Sequence, residues 1–228
     1  MRESLYQNIF HRDCEDPKKT WAKNRHNVTY AIAVLLPLLT TKTYFDVGAN
    51  IGVHAWLCNQ FDVDVYCFEP NPALNKYIRW NSRPKQLFNV AVGDYNGTAH
   101  FTTKTQSPGN HVIKNKSADS TTVNIRKIDD MTLPPPGMIK FDVEGHETSA
   151  IKGASTTITK FYPWIVVEDK FTRADVHKAL TELDYTKHSQ WTKDSIWHHH
   201  NNPITVETIV LPPIDRDLRK LSPKDWQW

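Results

Sequence analysis

Between Thr43 and Leu183 short apolar runs of strand length alternate with stretches of helical spacing, and this alternation restricts the fold more than any other feature of the chain. The apolar runs are Thr43–Val47, Val63–Phe68, Phe88–Val92, Met138–Val143 and Trp164–Glu168. Helical spacing marks Asn27–Leu39, Gly52–Gln60, Ala73–Asn81, Thr148–Phe161 and Arg173–Leu183. Strands joined by helix-length crossovers pair in parallel, and a parallel sheet must be covered on both faces. The expected class is therefore α/β, a Rossmann-like doubly wound and mainly parallel sheet. Two segments depart from the rhythm. Thr98–Lys104 and Thr121–Ile128 alternate polar with apolar residues around a loop rich in Ser, Gly, Asn and Lys, which predicts an inserted β-hairpin. Thr186–Trp191 and Thr205–Leu211 predict a terminal antiparallel hairpin that closes the sheet at its edge.

A length of 228 residues suits one domain. It divides into an N-terminal helical segment (1–42), a core (43–211) and a Pro- and charge-rich tail (212–228). The balance of 28 basic against 25 acidic residues is too even to argue for a nucleic-acid or membrane partner. The first twenty residues carry charges throughout, and the apolar run Ala31–Leu39 contains Pro37 and is too short to span a bilayer. The expectation is a soluble, cytoplasmic protein. Cys14, Cys58 and Cys67 form an odd set without metal-type spacing and are expected as free thiols.

In a doubly wound sheet, ligands bind beyond the carboxyl ends of the strands, so unusual polar groups there are the candidates for function. The first strand ends in Asp46-Val47-Gly48-Ala49-Asn50-Ile51-Gly52, where glycines permit a sharp turn and the next helix offers free N–H groups. This spacing is not the G-x-G-x-x-G of a dinucleotide site. The second strand ends in Glu69-Pro70-Asn71-Pro72; a carboxylate there can accept both hydroxyls of a ribose. After the third, Asn89 could meet an adenine edge.

Three blocks together resemble the FkbM family of methyltransferases: Asp46–Gly52, Phe68–Pro72 and Lys140-Phe141-Asp142-Val143-Glu144-Gly145-His146-Glu147. The resemblance covers Thr43 to Glu168. It implies a seven-stranded sheet, S-adenosylmethionine as methyl donor, and O-methylation of a small hydroxylated acceptor, sugars and other glycans among them. By that likeness Asp46, Gly48, Asn50 and Gly52 line the methionine side of the donor and Glu69 its ribose; Asn71, Asn89 and Asp142 are further candidates for holding the donor. His146 stands where the resemblance leads one to expect a small apolar residue.

The remaining acids gather at the ends of the fourth and fifth strands. The acceptor hydroxyl must lose its proton, so Asp142, His146 and Glu168 are the catalytic candidates. Asp142 with Glu168 or Asp169 offers, alternatively, oxygen ligands for Mg²⁺. Glu144 and Glu147 read equally well as a solvated first helical turn. Trp197-His198-His199-His200-Asn201-Asn202 is expected to connect the last two strands on the ligand side, as a solvated loop or as an acceptor rim. Two other functions fit the pattern. One is an RNA ribose 2′-O-methyltransferase, with Asp142, Lys170 and Glu207 joined by Lys23 or Lys42; the other is a non-catalytic nucleoside-binding module.

Overall fold

The computed structural model describes residues 26–102, 111–113, 115, 117, 119–190 and 193–204. Helix α1 (His26–Leu35) leads, through a 3₁₀ turn at Leu36–Leu38, into strand β1 (Thr43–Val47). Pro37 marks where α1 stops, because proline has no N–H to continue the ladder. The order then runs α2 (Val53–Asn59), β2 (Asp64–Phe68), α3 (Asn75–Asn81), β3 (Gln86–Phe88), β4 (Ala91–Val92), β5 (Gly97–Thr102), β6 (Val112–Ile113) and β7 (Ser120–Arg126). It ends with β8 (Met138–Phe141), α4 (Glu147–Lys152), α5 (Ser155–Phe161), β9 (Trp164–Glu168), α6 (Arg173–Thr181), β10 (Tyr185–Gln190) and β11 (Asp194–His199).

Seven strands form one sheet in the order β10-β11-β9-β8-β1-β2-β3. The pairs β3–β2, β2–β1, β1–β8 and β8–β9 are parallel, whereas β11 is antiparallel to both β9 and β10. Alternate residues of each strand face opposite sides. Tyr44, Cys67, Met138, Trp164 and Val166 pack under α1 and α2, while Phe45, Phe68, Ile139, Phe141 and Val167 pack with α4, α5 and α6. The Rossmann-like expectation holds.

Several local expectations need correction. The run Phe88–Val92 is not one strand: β3 ends the main sheet at Phe88, and β4 begins a second, four-stranded sheet of order β4-β7-β5-β6. The expected inserted hairpin, β5 with β7, is thus half of a small sheet with its own core of Ala91, Ala99, Phe101, Val123 and Ile125. The helix expected over Thr148–Phe161 breaks at Gly153, where a Cβ would lie 1.9 Å from the carbonyl oxygen of Gly93. The small sheet therefore docks directly on the helix break. In the terminal hairpin the partner of β10 is Asp194–His199, and Thr205–Leu211 lies outside the described residues. Trp197 to His199 belong to β11 and run toward the amino ends of the parallel strands, since Trp197 pairs with Ile165 and Asp194 with Glu168. The histidines are therefore not a rim on the ligand side.

Candidate active site

A cleft enclosing about 800 Å³, including space open to solvent, lies at the carboxyl ends of β1, β2, β8 and β9. Gly48, Asn50, Glu69, Asp142, His146 and Glu168 all line it, as do Leu74, Val90, Phe101, Val112 and Glu144.

One half of the cleft is built by backbone geometry. Gly48 has φ +82°, and a Cβ on it would sit 1.9 Å from the carbonyl oxygen of Asp142. Only glycine allows β1 to turn that close to the end of β8. The turn carries the amide of Asn50 to Glu69, whose Oε2 accepts it at 2.9 Å; Oε1 accepts the amide of Asn71, also at 2.9 Å. The side chain of Asn71 accepts in turn from the amide of Ala73, and that of Asn89 donates to the carbonyls of Glu69 and Pro70. Both asparagines hold the Glu69 loop rather than line the cleft. Each Glu69 oxygen keeps a lone pair beyond these bonds. Burial pushes the Glu69 carboxyl up to about 7, with the two amides drawing it only partly back.

Asp46 and Gly52 are also close to the turn but outside the cleft wall. Gly52 packs on α3, with Ile78 Cα 3.2 Å from where its Cβ would be. Asp46 is 1 % exposed, and among the described residues the amide of Ala55 is the one backbone group that comes near enough to relieve its carboxylate. Its register partner on β8 is Lys140. Burial raises the Asp46 carboxyl to about 6, and the Lys140 charge opposes that rise.

The other half of the cleft is a cluster of charged groups at the ends of β8 and β9. Lys140 is 2 % exposed and places Nζ 2.7 Å from Asp142 Oδ2, while Asp142 keeps 32 % of its side chain open. Burial would raise the Asp142 carboxyl, but the Lys140 charge, its hydrogen bond and a hydrogen bond with Glu168 together hold it low. Glu168 is driven the opposite way, by burial first and then by the neighbouring Asp142 charge. Of the two carboxyls, Asp142 is thus favoured in its charged form and Glu168 is the easier to protonate. One oxygen from each of Asp142, Glu144 and Glu168 falls within a 4.8 Å cluster, which could hold a cation. Asp169 takes no part in it: it is 1 % exposed, accepts from Ser195 Oγ at 2.9 Å and pairs with Arg173 at 3.3 Å.

A family model described as the methyltransferase FkbM domain matches residues 46–190, well over half of the chain. The chain belongs to the FkbM methyltransferase family. Among curated relatives, it is 28% identical over 156 residues to hexuronic acid methyltransferase AglP of Haloferax volcanii, covering 63% of this chain and 59% of that protein. It is also 28% identical over 141 residues to 2-O-methyltransferase NoeI of Sinorhizobium fredii, covering 50% of this chain and 58% of that protein. The chain thus spans under three-fifths of the length of the curated relatives it matches. The crystal structure of an FkbM methyltransferase from Methylobacillus flagellatus superposes with TM-score 0.50 at 18% identity, over 86% of this chain and 58% of that one.

In this FkbM chain the candidate His146 lines the cleft, but its buried Nε2 has no hydrogen-bond partner among the described residues and abuts Gly93, where a Cβ would come within 3.1 Å. Burial keeps its imidazole below the usual range. Glu147 is not a solvated turn: it is 1 % exposed and accepts from the amides of Val143 and Gly145 and the hydroxyl of Thr172. Of the Lys-Asp-Lys-Glu set, Lys42 lies at the amino end of β1, bonded to the carbonyls of Leu36 and Pro37, and Lys23 and Glu207 are outside the described residues. Among the described residues no helix is long and apolar enough to cross a membrane.

Two site residues went unassigned from sequence. Lys140 had a signal, since a lysine two residues before Asp142 on a strand shares its face. Glu144 had only its position in a turn, with φ +52°.

Proposed function

We propose that this chain transfers a methyl group from S-adenosylmethionine to a hydroxyl of a sugar. The observation that carries the reading is Glu69: a buried carboxylate, fixed by two amides, whose remaining lone pairs suit the vicinal hydroxyls of a ribose. Gly48 and Asn50 would hold the amino-acid end of the donor, and Leu74 and Val90 would flank its base. The bound donor supplies an electrophilic methyl group on a sulfonium. Glu168 accepts the proton of the acceptor hydroxyl once it is ionised, and Asp142, kept negative by Lys140, orients that hydroxyl. The names of AglP and NoeI, a hexuronic acid and a 2-O-methyltransferase, favour a sugar acceptor.

Calorimetric titration with S-adenosylmethionine and S-adenosylhomocysteine, with NAD as control, tests the donor. Binding of both sulfur nucleosides and not of NAD is expected. If a folded protein binds neither, the cleft is not a donor site; binding without turnover on any acceptor would favour a nucleoside-binding module. Affinity for S-adenosylhomocysteine should rise as pH increases through about 7, because only ionised Glu69 offers acceptors to both hydroxyls. Glu69→Ala should weaken that binding about 10- to 150-fold, from the roughly 1.5–3 kcal/mol of a charged hydrogen bond. Unchanged affinity would remove the ribose role.

The cluster of Asp142, Glu144 and Glu168 supports a second reading in which Mg²⁺ acidifies the acceptor. Lys140 and Lys193 already pair with two of its three members, at 2.7 and 3.6 Å, which favours the proton-transfer reading. Turnover should persist in EDTA; loss restored by added Mg²⁺ would transfer the role to the metal.

A further inference from the structure

The carboxyl end of β9, beyond Glu168, carries groups that neither donor binding nor proton transfer uses. Asp169 to Thr172 leave β9 there, and Lys193 reaches the same place from the residues preceding β11. The carbonyl of Lys193 accepts the amide of Asp169 at 2.7 Å, so the root of the lysine is fixed to the strand end. Its Nζ lies 3.6 Å from Glu168 Oε1, and its side chain remains 40% exposed against 13% for Glu168. Phe171 is 65% exposed, the most open large apolar side chain among the described residues, and Lys170 Nζ stands 4.4 Å above its ring. Thr172 anchors the segment by donating to Glu147 at 2.7 Å, beside the turn that bears Glu144.

Phe171 follows the cleft-lining Glu168 by three residues, and an exposed aromatic offers apolar surface to the C–H face of a sugar ring. Lysines beside it offer point charges to an anion and little to a neutral hydroxyl. The separation of Lys193 Nζ from Glu168 is one that neighbouring substituents on a single pyranose ring can bridge. We propose that Lys193, Lys170 and Phe171 form an acceptor subsite selecting a sugar that bears an anionic group beside the hydroxyl to be methylated. This rests on the methyl-transfer reading of the cleft. Phe171 supports the ring, and the acidic substituent takes Lys193 away from Glu168 as the hydroxyl arrives. Lys193 then serves as both recognition group and gate, for a neutral sugar leaves it on Glu168.

The test uses the protein loaded with S-adenosylhomocysteine and ligand-observed NMR with trigalacturonate, maltotriose and a sulfated maltotriose. Trigalacturonate should bind at least about tenfold more tightly than maltotriose, as two or more charge-assisted contacts imply, and the difference should shrink with salt. Lys193→Gln and Lys170→Gln should each remove most of that preference while leaving S-adenosylhomocysteine affinity as in the parent. The sulfated arm separates a carboxylate from any anion. Equal binding of acid and neutral sugars, or a preference untouched by both substitutions, overturns the subsite. Failure of the donor reading is distinct: it appears as absence of S-adenosylhomocysteine binding, and the oligosaccharide comparison can still be read on the free protein.

Discussion

Glu168→Gln is expected to lower turnover by about 10²–10⁴-fold, the usual worth of a positioned proton acceptor, without lowering the thermal midpoint at pH 8. The two halves of this result have one cause. Burial and the Asp142 charge raise the proton affinity of Glu168 in the folded protein above its ordinary value near 4.5. Between that value and the raised one the folded chain holds a proton that the unfolded chain has lost, so stability falls as pH rises through the interval. Glutamine is neutral throughout and removes this loss, while it also removes the only form able to take a proton. In the parent, kcat/KM should climb with pH from neutrality into the alkaline range as Glu168 ionises. A glutamine variant with parental turnover, or a parent rate that is flat with pH, would dismiss Glu168 as the base and return attention to Asp142.

Lys140→Met should produce the largest structural effect. Lys140 is the buried cation facing Asp142 and register partner of Asp46. Removing one member of a buried ion pair leaves the other charge uncompensated, at a cost of about 3–5 kcal/mol. For a chain of this size that corresponds to a fall of roughly 6–20 °C in the midpoint. Adding Asp142→Asn to Lys140→Met should return a good part of the loss, since the stranded charge is then gone. Calorimetric melting of the parent, both single variants and the double variant checks this. A single variant as stable as the parent, or strictly additive losses, would show that the pair contributes nothing specific.

The strands of the main sheet were legible because parallel strands buried on both faces are continuous apolar runs. β11 escaped for the converse reason. Asp194-Ser195-Ile196-Trp197-His198-His199 reads as polar, yet Ser195 and Trp197 are buried because their polar atoms satisfy one another: Trp197 Nε1 donates to Ser195 Oγ at 2.8 Å, and Ser195 Oγ to Asp169 at 2.9 Å. No one-dimensional pattern encodes that closure. The same limit applies to the site. Gly48, Asn50 and Glu69 could be placed from turn chemistry alone, whereas the opposite behaviour of Asp142 and Glu168 depends on a lysine beneath one of them and on contact between neighbouring strands. Asn71 shares a turn with Glu69 and Asn89 stands at the end of the third strand, positions that suggest ligand contact from sequence, whereas their side chains bond within the loop around Glu69.

The small sheet begins and ends at one place. Gly93, just past β4, donates its amide to the carbonyl of Arg126 at 3.0 Å, so β5 and β7 leave from and return to a single doorway. Closing a longer loop across a fixed doorway costs little, about 0.6 kcal/mol for each doubling of its length. Of the described residues in this excursion, Phe101 and Val112 reach the cleft, while the bonds that hold Glu69 in place, to the amides of Asn50 and Asn71, lie outside it. On the proposed reading of the cleft, variation there is a route to a different acceptor with the Gly48 and Glu69 turns kept as they are.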